Sequence, residues 1–280
     1  MGKIVKDIVE NTFTKKNTNT YELSILVGMG SFDYVIMDSQ QKLLALKSYH
    51  LSEEASVEEM EHLLGLDPLP RNRYRNVRIA WASGKSTLIP RRLFHSLEKK
   101  AFLEQSATVR DSENVRHDEL TAAGMMNIFA IPQELETYLN NTFPGHRMSH
   151  LGSALIEGQR KLSVQHQGQH VYVHFIGKQA FLCVYQHLNL LFYNSFSYQS
   201  AKDFIYYLLL IFKQFNLSQE ETPVFISGQL VEDSEIYRHL QRYVRQYHFQ
   251  QPPAFLSYGP KMEEQPKYLY FGVLALSITA

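Results

Sequence analysis

The chain has 280 residues, in which 28 Lys and Arg balance 28 Asp and Glu, and 44% of its residues are hydrophobic. Zero net charge excludes a global field drawing the chain to nucleic acid or an anionic membrane, and one cysteine excludes an intrachain disulfide and favours a reducing compartment. The first residues lack the apolar core of a signal peptide, and the longest apolar run, Phe204 to Phe212, falls short of the ~20 residues that a membrane span requires. A cytoplasmic protein of about two domains, at ~150 residues each, is expected.

In chain order, residues 1–21 read as a polar N-terminal extension, either a loose terminus or one short helix around Ile4, Ile8 and Val9. Glu22 to Val27, Phe32 to Met37 and Leu43 to Tyr49 are apolar, β-branched and aromatic stretches separated by short turns, which predicts a three-strand antiparallel meander. Gly28 and Gly30 occupy its first turn, where a tight hairpin calls for positive φ. A helix is predicted over Glu54 to Leu64, acidic in its first turns and ended by LDPLP. Val77 to Ala82 is the next strand, ending in Ser83-Gly84. Pro90 is read as opening a helix through Leu93, Leu97, Phe102 and Leu103, followed by a strand at Met126 to Ile131 and a helix at Pro132 to Asn141.

Residues 146–169, rich in Gly, His and Gln, read as a crossover whose clustered histidines His146, His150 and His166, with His170 just beyond, are solvated loop residues. A second meander follows at Val171 to Ile176, Ala180 to Gln186 and Leu190 to Tyr198. Ser200 then stands where an N-cap belongs, before a helix with an apolar face of Phe204, Tyr207, Leu208, Ile211 and Phe215. The strand Val224 to Ser227 ends in Ser227-Gly228, as its counterpart ends in Ser83-Gly84; a helix over Glu232 to His248 and a strand over Tyr268 to Ile278 complete the chain. Strand-strand-strand-helix-strand-helix-strand thus occurs twice. The fold class is a duplicated α/β domain, with subdomains at 22–145 and 170–280, each a mixed sheet with a three-strand meander and flanking helices.

Few motifs carry chemistry. Gly84-Lys85-Ser86 ends like a P-loop, but Ile79 stands where the first Gly is needed and no helix follows at once. Asp33 and Asp38 are an odd number of residues apart on one strand and point to opposite faces. The histidines form no HExxH, no serine lies in GxSxG, and Cys183 sits inside an apolar strand as a buried, inert thiol. Arg71 to Lys100 holds nine Lys or Arg and one acid, Glu98, a patch suited to phosphates or to pairing with the acidic stretch Glu53 to Asp67.

The doubled unit resembles the actin-like ATPase superfamily of sugar kinases, heat-shock chaperones and actin, built from ribonuclease-H-like halves. More narrowly, GMGSFDYVIMD (residues 28–38), VRIAWASGKSTLIPRRLF (residues 77–94) and VFISGQL (residues 224–230) look like a bacterial domain-of-unknown-function family of that fold. The resemblance implies two halves facing a cleft, a Gly-rich phosphate loop after an acid at the first strand of each half, and a Gly-Gly turn holding adenosine. Here Val27 and Met29 stand where the first acid is wanted, Phe175 and Ile176 precede Gly177, and the adenosine turn keeps only Gly228, in Ser227-Gly228-Gln229. Phosphoryl transfer relies on metal and positioned charge, so no catalytic or metal residue is assigned. A degenerate nucleotide cleft is expected at Gly28, Gly30, Gly177, Ser227 and Gly228. The expected function is a non-catalytic interaction or scaffold module with a protein partner. The alternatives are ATP binding with little or no hydrolysis, and nucleic-acid binding through Arg71, Arg73, Arg75, Arg91 and Arg92.

Overall fold

The structure is a computed structural model that describes residues 3–231 and 234–278. Its first half contains β1 (Lys3–Val9), β2 (Glu22–Gly28), β3 (Ser31–Met37), β4 (Lys42–His50), α1 (Val57–Leu66), β5 (Asn76–Trp81), β6 (Ser86–Pro90), α2 (Lys99–Glu104), β7 (Glu113–Leu120), β8 (Met125–Pro132), α3 (Gln133–Thr142), β9 (Arg147–His150) and α4 (Leu151–Ser163). The second half contains β10 (Gln169–Ile176), β11 (Gln179–Gln186), β12 (Asn189–Ser197), α5 (Ala201–Gln214), β13 (Val224–Gly228), α6 (Glu235–Tyr243), β14 (Tyr247–Phe249), β15 (Ser257–Tyr258), α7 (Pro260–Glu263) and α8 (Phe271–Ile278).

The two main sheets share one plan. In the first, the order β4-β3-β2-β5-β9 places an antiparallel meander beside two parallel strands, with β1 and β15 added along β4. The second runs β12-β11-β10-β13-β14 with the same directions. Both meanders lead into helices with a full capping box, Ser56 with Glu59 for α1 and Ser200 with Asp203 for α5; each box satisfies amides that would otherwise be orphaned at the helix start.

Side-chain alternation builds the layers. On β2, Leu23, Ile25 and Val27 pack towards Met60 and Leu64 of α1 and Leu135 of α3, whereas Leu26 joins the core containing α8. On β10, Val171, Val173 and Phe175 meet Phe204, Leu208 and Ile211 of α5, and Tyr172 turns towards Ile156 of α4. Helices α4 and α8 pack closely between the halves, the Cα atoms of Gly158 and its neighbours lying so near α8 that a Cβ on Gly158 would sit 3.4 Å from the Ala275 methyl. Phe271, Val273, Leu274, Leu276 and Ile278 of α8 are all buried, each contributing about 1.5–3 kcal/mol of hydrophobic stabilisation. None of the described helices is long and apolar enough to cross a membrane.

Several elements differ from the sequence-based expectation. Residues 3–9, expected as a loose terminus or helix, form edge strand β1 against β4. Ser86 to Pro90 pairs with β8 as strand β6, and helix appears only at α2, because Leu93 and Leu97 are exposed and give no face to bury. Met125–Pro132 is a strand, but it lies between β6 and β7 in a separate three-stranded sheet; β9, inside the expected crossover, is the fifth strand of the first main sheet. Residues 151–163 of that crossover form α4. Tyr268 to Ile278 is not a strand: a short 3-10 turn leads into α8, since a fully apolar run suits a buried helix as well as a buried strand. The expected helix over Glu232 to His248 lies partly outside the described residues; α6 covers Glu235–Tyr243, and Tyr247 belongs to β14.

Candidate functional site

The β2–β3 turn runs Gly28-Met29-Gly30 with φ of +119°, +50° and +77°, and the β10–β11 turn has Gly177 at +54°. The two turns touch: a Cβ on Gly177 would lie 3.0 Å from the Met29 carbonyl oxygen. Gln229, directly after β13, joins them. Its Oε1 accepts from the Gly177 amide at 2.9 Å and its Nε2 donates to Ser31 Oγ at 2.7 Å. A third crossing brings the Gln179 side chain over Gly84, whose added Cβ would stand 3.1 Å from Gln179 Nε2. The structure therefore gathers Gly28, Gly30 and Gly177 at one point, where the two halves meet.

Ser227 and Gly228 end β13 just before Gln229, next to these turns, but neither lines the cavity beside them. Ser227 Oγ lies 3.0 Å from His174 Nδ1 in the packing beneath α8, and a Cβ on Gly272 of α8 would be 2.9 Å from His174 Nε2. Burial pushes the His174 pKa down to about 3, so the ring is neutral there. Strand register also revises the internal match. Val27 pairs with Trp81 and Phe175 pairs with Gly228, and these partners close the two hairpins at equivalent steps. The counterpart of Gly228 is thus Trp81, and Gly84 lies three residues further along.

Beside the touching turns, a cavity of about 450 Å³ opens between Met29, Trp81 and Gly84 on one side and Gly177, Lys178 and Tyr198 on the other. Trp81 is fixed by its Nε1, which donates to the Ala130 carbonyl at 2.9 Å. Four charged groups on the first-half wall pair off, while Glu53 also lines it. Lys85 Nζ donates to both oxygens of Glu113 at 2.7 and 2.8 Å, and Arg110 pairs with Glu54 at 3.4 Å. Burial opposes ionisation of Glu113, but Lys85 and the Arg110 backbone N–H hold its carboxyl below the usual range. Lys85 is therefore not available in the manner of a P-loop lysine. Lys178 is exposed at the turn and has no acidic partner among the described residues.

A buried polar cluster stands behind this wall. His150 is fully buried, not solvated: Nε2 donates to the Ser83 carbonyl at 3.0 Å, Nδ1 accepts from the Gly152 amide at 3.1 Å, and the backbone amide donates to Asp118 Oδ2 at 2.8 Å. Desolvation lowers the His150 pKa to about 4 and raises that of Asp118 to about 6. The cluster positions the Ser83-Gly84 wall and ties β7 to β9. His170 is likewise buried, with Nε2 2.9 Å from Ser163 Oγ. Asp33 is buried against Ser48 Oγ at 2.5 Å, while Asp38 accepts backbone amides in its own turn, so the two carboxylates share no site. No group of three or more His, Cys, Asp or Glu residues suited to a metal occurs among the described residues.

The basic segment is dispersed. Arg78, Lys85, Arg91 and Lys100 pair with Glu22, Glu113, Glu119 and Glu104, rather than with the acidic stretch at 53–67. Gln229, Glu113 and Tyr198 escaped the sequence reading of the site. Only the position of Gln229 beside Gly228 hinted at its place, and nothing in sequence could show what it bonds.

Two sheets of one plan, with hairpin turns facing each other across α4 and α8, define a protein of the actin-like ATPase fold. Among solved structures, a Bacteroides thetaiotaomicron protein with actin-like ATPase fold and unknown function matches at TM-score 0.77 and 22% identity, over 86% of this chain and 94% of that one. Residues 10–247 match the family described as Protein of unknown function (DUF3822), and the chain belongs to that family. The PilM–PilN type IV pilus biogenesis complex contains a chain matching at TM-score 0.54 and 14% identity, over 94% of this chain and 99% of that one. A more distant match is the activator of the 2-hydroxyisocaproyl-CoA dehydratase from Clostridium difficile with bound ADPNP, at TM-score 0.43 and 9% identity, over 93% and 94% of the two chains. No curated protein matches significantly.

Proposed function

We propose that this chain is a non-catalytic actin-like-fold protein of the cytoplasm that works as an interaction module, receiving a protein partner at the cleft between its halves. One observation carries the reading: the two turns that would hold phosphates are in contact and bridged by Gln229, which already uses the Gly177 amide. A phosphate there would have to displace that bridge, and of the carboxylates lining the cavity Glu113 and Glu54 are already paired with Lys85 and Arg110, leaving Glu53. The cavity walls offer Trp81, Tyr198 and Met29 with Glu53 and Lys178, neither of which has an ion-pair partner among the described residues, a composition that suits a protein surface with aromatic anchors. The match to a chain of the pilus complex supports a place in an assembly.

ATP is the competing occupant, and calorimetric titration together with thermal shift separates the two. A ligand at 100 times its Kd stabilises the folded state by about 2.7 kcal/mol. We expect ATP with Mg²⁺ to give neither heat nor shift. We also expect a protein to copurify in stoichiometric amount from the native cell, and to be lost on Lys178→Glu combined with Tyr198→Ala. An ATP-dependent shift that Gly177→Trp abolishes would overturn the reading.

A further inference from the structure

A second recess lies on the inner face of the second sheet, at the opposite strand ends from the cleft. Tyr172, Phe225 and His248 are neighbours across β10, β13 and β14 and present their rings on one face. Ring centroids are 5.2 Å apart for Tyr172 and Phe225 and 5.7 Å for Phe225 and His248. His166, just past α4, lies over Phe225 at 4.3 Å with the planes inclined by 31°. Together these rings line a cavity of about 520 Å³, within the ~300–1,000 Å³ range of small-molecule sites.

Gln250 supplies a polar group. It follows His248 by two residues and so takes the same face, and its backbone amide is fixed to the Ile226 carbonyl at 2.8 Å. The residue is 1% exposed, lines this cavity, and neither Oε1 nor Nε2 of its side chain has a hydrogen-bond partner. A buried carboxamide without partners is costly, and it presents a donor and an acceptor side by side. That edge matches a flat heterocycle carrying an amino group next to a ring nitrogen, as Gln matches adenine, while the rings offer stacking surfaces.

We propose that this recess is a binding site for a neutral nucleobase or nucleoside, stacked on the outer face of His166 and hydrogen-bonded by the Gln250 carboxamide. No Lys, Arg, Asp or Glu lines the recess. Burial, helped by the nearby His248, holds the His166 pKa below the ordinary histidine value. A phosphate would find no countercharge, so the ligand is the base or nucleoside rather than the nucleotide. The site stands independently of what occupies the cleft, because Tyr172 and Phe225 lie three residues, about 10 Å of strand, before Phe175 and Gly228.

The test uses the full chain titrated with adenosine and with cytidine, read by calorimetry and by the ring resonances of His166 and His248. We expect binding that moves both sets of resonances. Gln250→Leu, which keeps the apolar bulk, should weaken it at least tenfold, and N6,N6-dimethyladenosine, which stacks but cannot donate, should bind the parent at least tenfold more weakly than adenosine. AMP should bind no more tightly than adenosine. The proposal is overturned if neither nucleoside moves the ring resonances at its solubility limit, or if Gln250→Leu, shown folded by circular dichroism, binds as the parent does. Tighter binding of AMP or of a short oligonucleotide by tenfold or more would overturn it too, since a phosphate would then be the group recognised.

Discussion

Gln229 and Ser31, one from each half of the molecule, meet in a 2.7 Å hydrogen bond from the Gln229 side-chain amide to the serine hydroxyl. The same side chain accepts from the Gly177 amide, so one residue ties the two hairpin turns together. Gln229→Ala should cost about 1 kcal/mol in urea denaturation, in the range of a typical net hydrogen bond at an exposed site. In a double-mutant cycle with Ser31→Ala the two losses should be less than additive. Strictly additive losses would mean that the bond contributes nothing.

Gly28 and Gly228 are held at φ of +119° and +82°, and a Cβ would lie 2.2 Å from the Ala82 carbonyl oxygen and 2.0 Å from the Phe175 carbonyl oxygen, respectively. Alanine at either position meets both the left-handed strain and a backbone collision, and should destabilise by about 2 kcal/mol or more. Gly84 has an ordinary φ and faces only the mobile end of Gln179. Gly84→Ala should therefore stay within about 0.5 kcal/mol, and equal losses at all three positions would contradict this account.

Stability should fall in mild acid. Burial holds His150 and His170 at pKa values of about 4 and His174 at about 3 in the folded state. On unfolding each regains a value of ~6.5, so their contribution is present above that pH and is lost as pH drops towards 4. Asp33 and Asp118, raised by burial to about 6, act in reverse, favouring the fold below ~3.9 and losing that contribution as pH rises through 6. At about 1.4 kcal/mol per proton and pH unit, three histidines titrating over about 2.5 units outweigh two carboxylates titrating over about 2, and the net should be a loss of a few kcal/mol from pH 6.5 to 4. Urea denaturation at both pH values measures this, and His174→Gln should flatten the slope. A protein more stable at pH 4 would show that the carboxylates dominate.

Cys183 is buried on β11, and desolvation raises its thiol pKa far above the ordinary value. Since the thiolate is the reactive form, a disulfide reagent at pH 8 should label it only as fast as the protein unfolds, with full labelling in denaturant. Rapid labelling of the native chain would place the thiol at the surface.

The local order of both halves is legible in the residues themselves. Alternation set the two meanders, Ser200 marked one helix start and the acidic first turns near Glu54 another, and glycines marked the hairpins, because each is decided by neighbours within a few positions. Other elements were not legible. The apolar stretch ending at Ile278 is compatible with strand or helix until two sheets are seen to enclose it on all sides. The polar strand β7 carries little apolar alternation, since only Val115 and Leu120 are buried hydrophobics and Asp118 is turned inward to the His150 amide, and its place is given by pairing with β8. Histidines that look hydrophilic in a Gly-rich segment are buried at His150 and His170 because the fold supplies Ser83, Asp118 and Ser163 as partners. The candidate glycines were marked by the hairpin turns and by the resemblance, whereas the bridge by Gln229 and the orphaned amide of Gln250 depend on residues far apart in sequence. Only the tertiary structure brings those groups within, or leaves them out of, hydrogen-bonding distance.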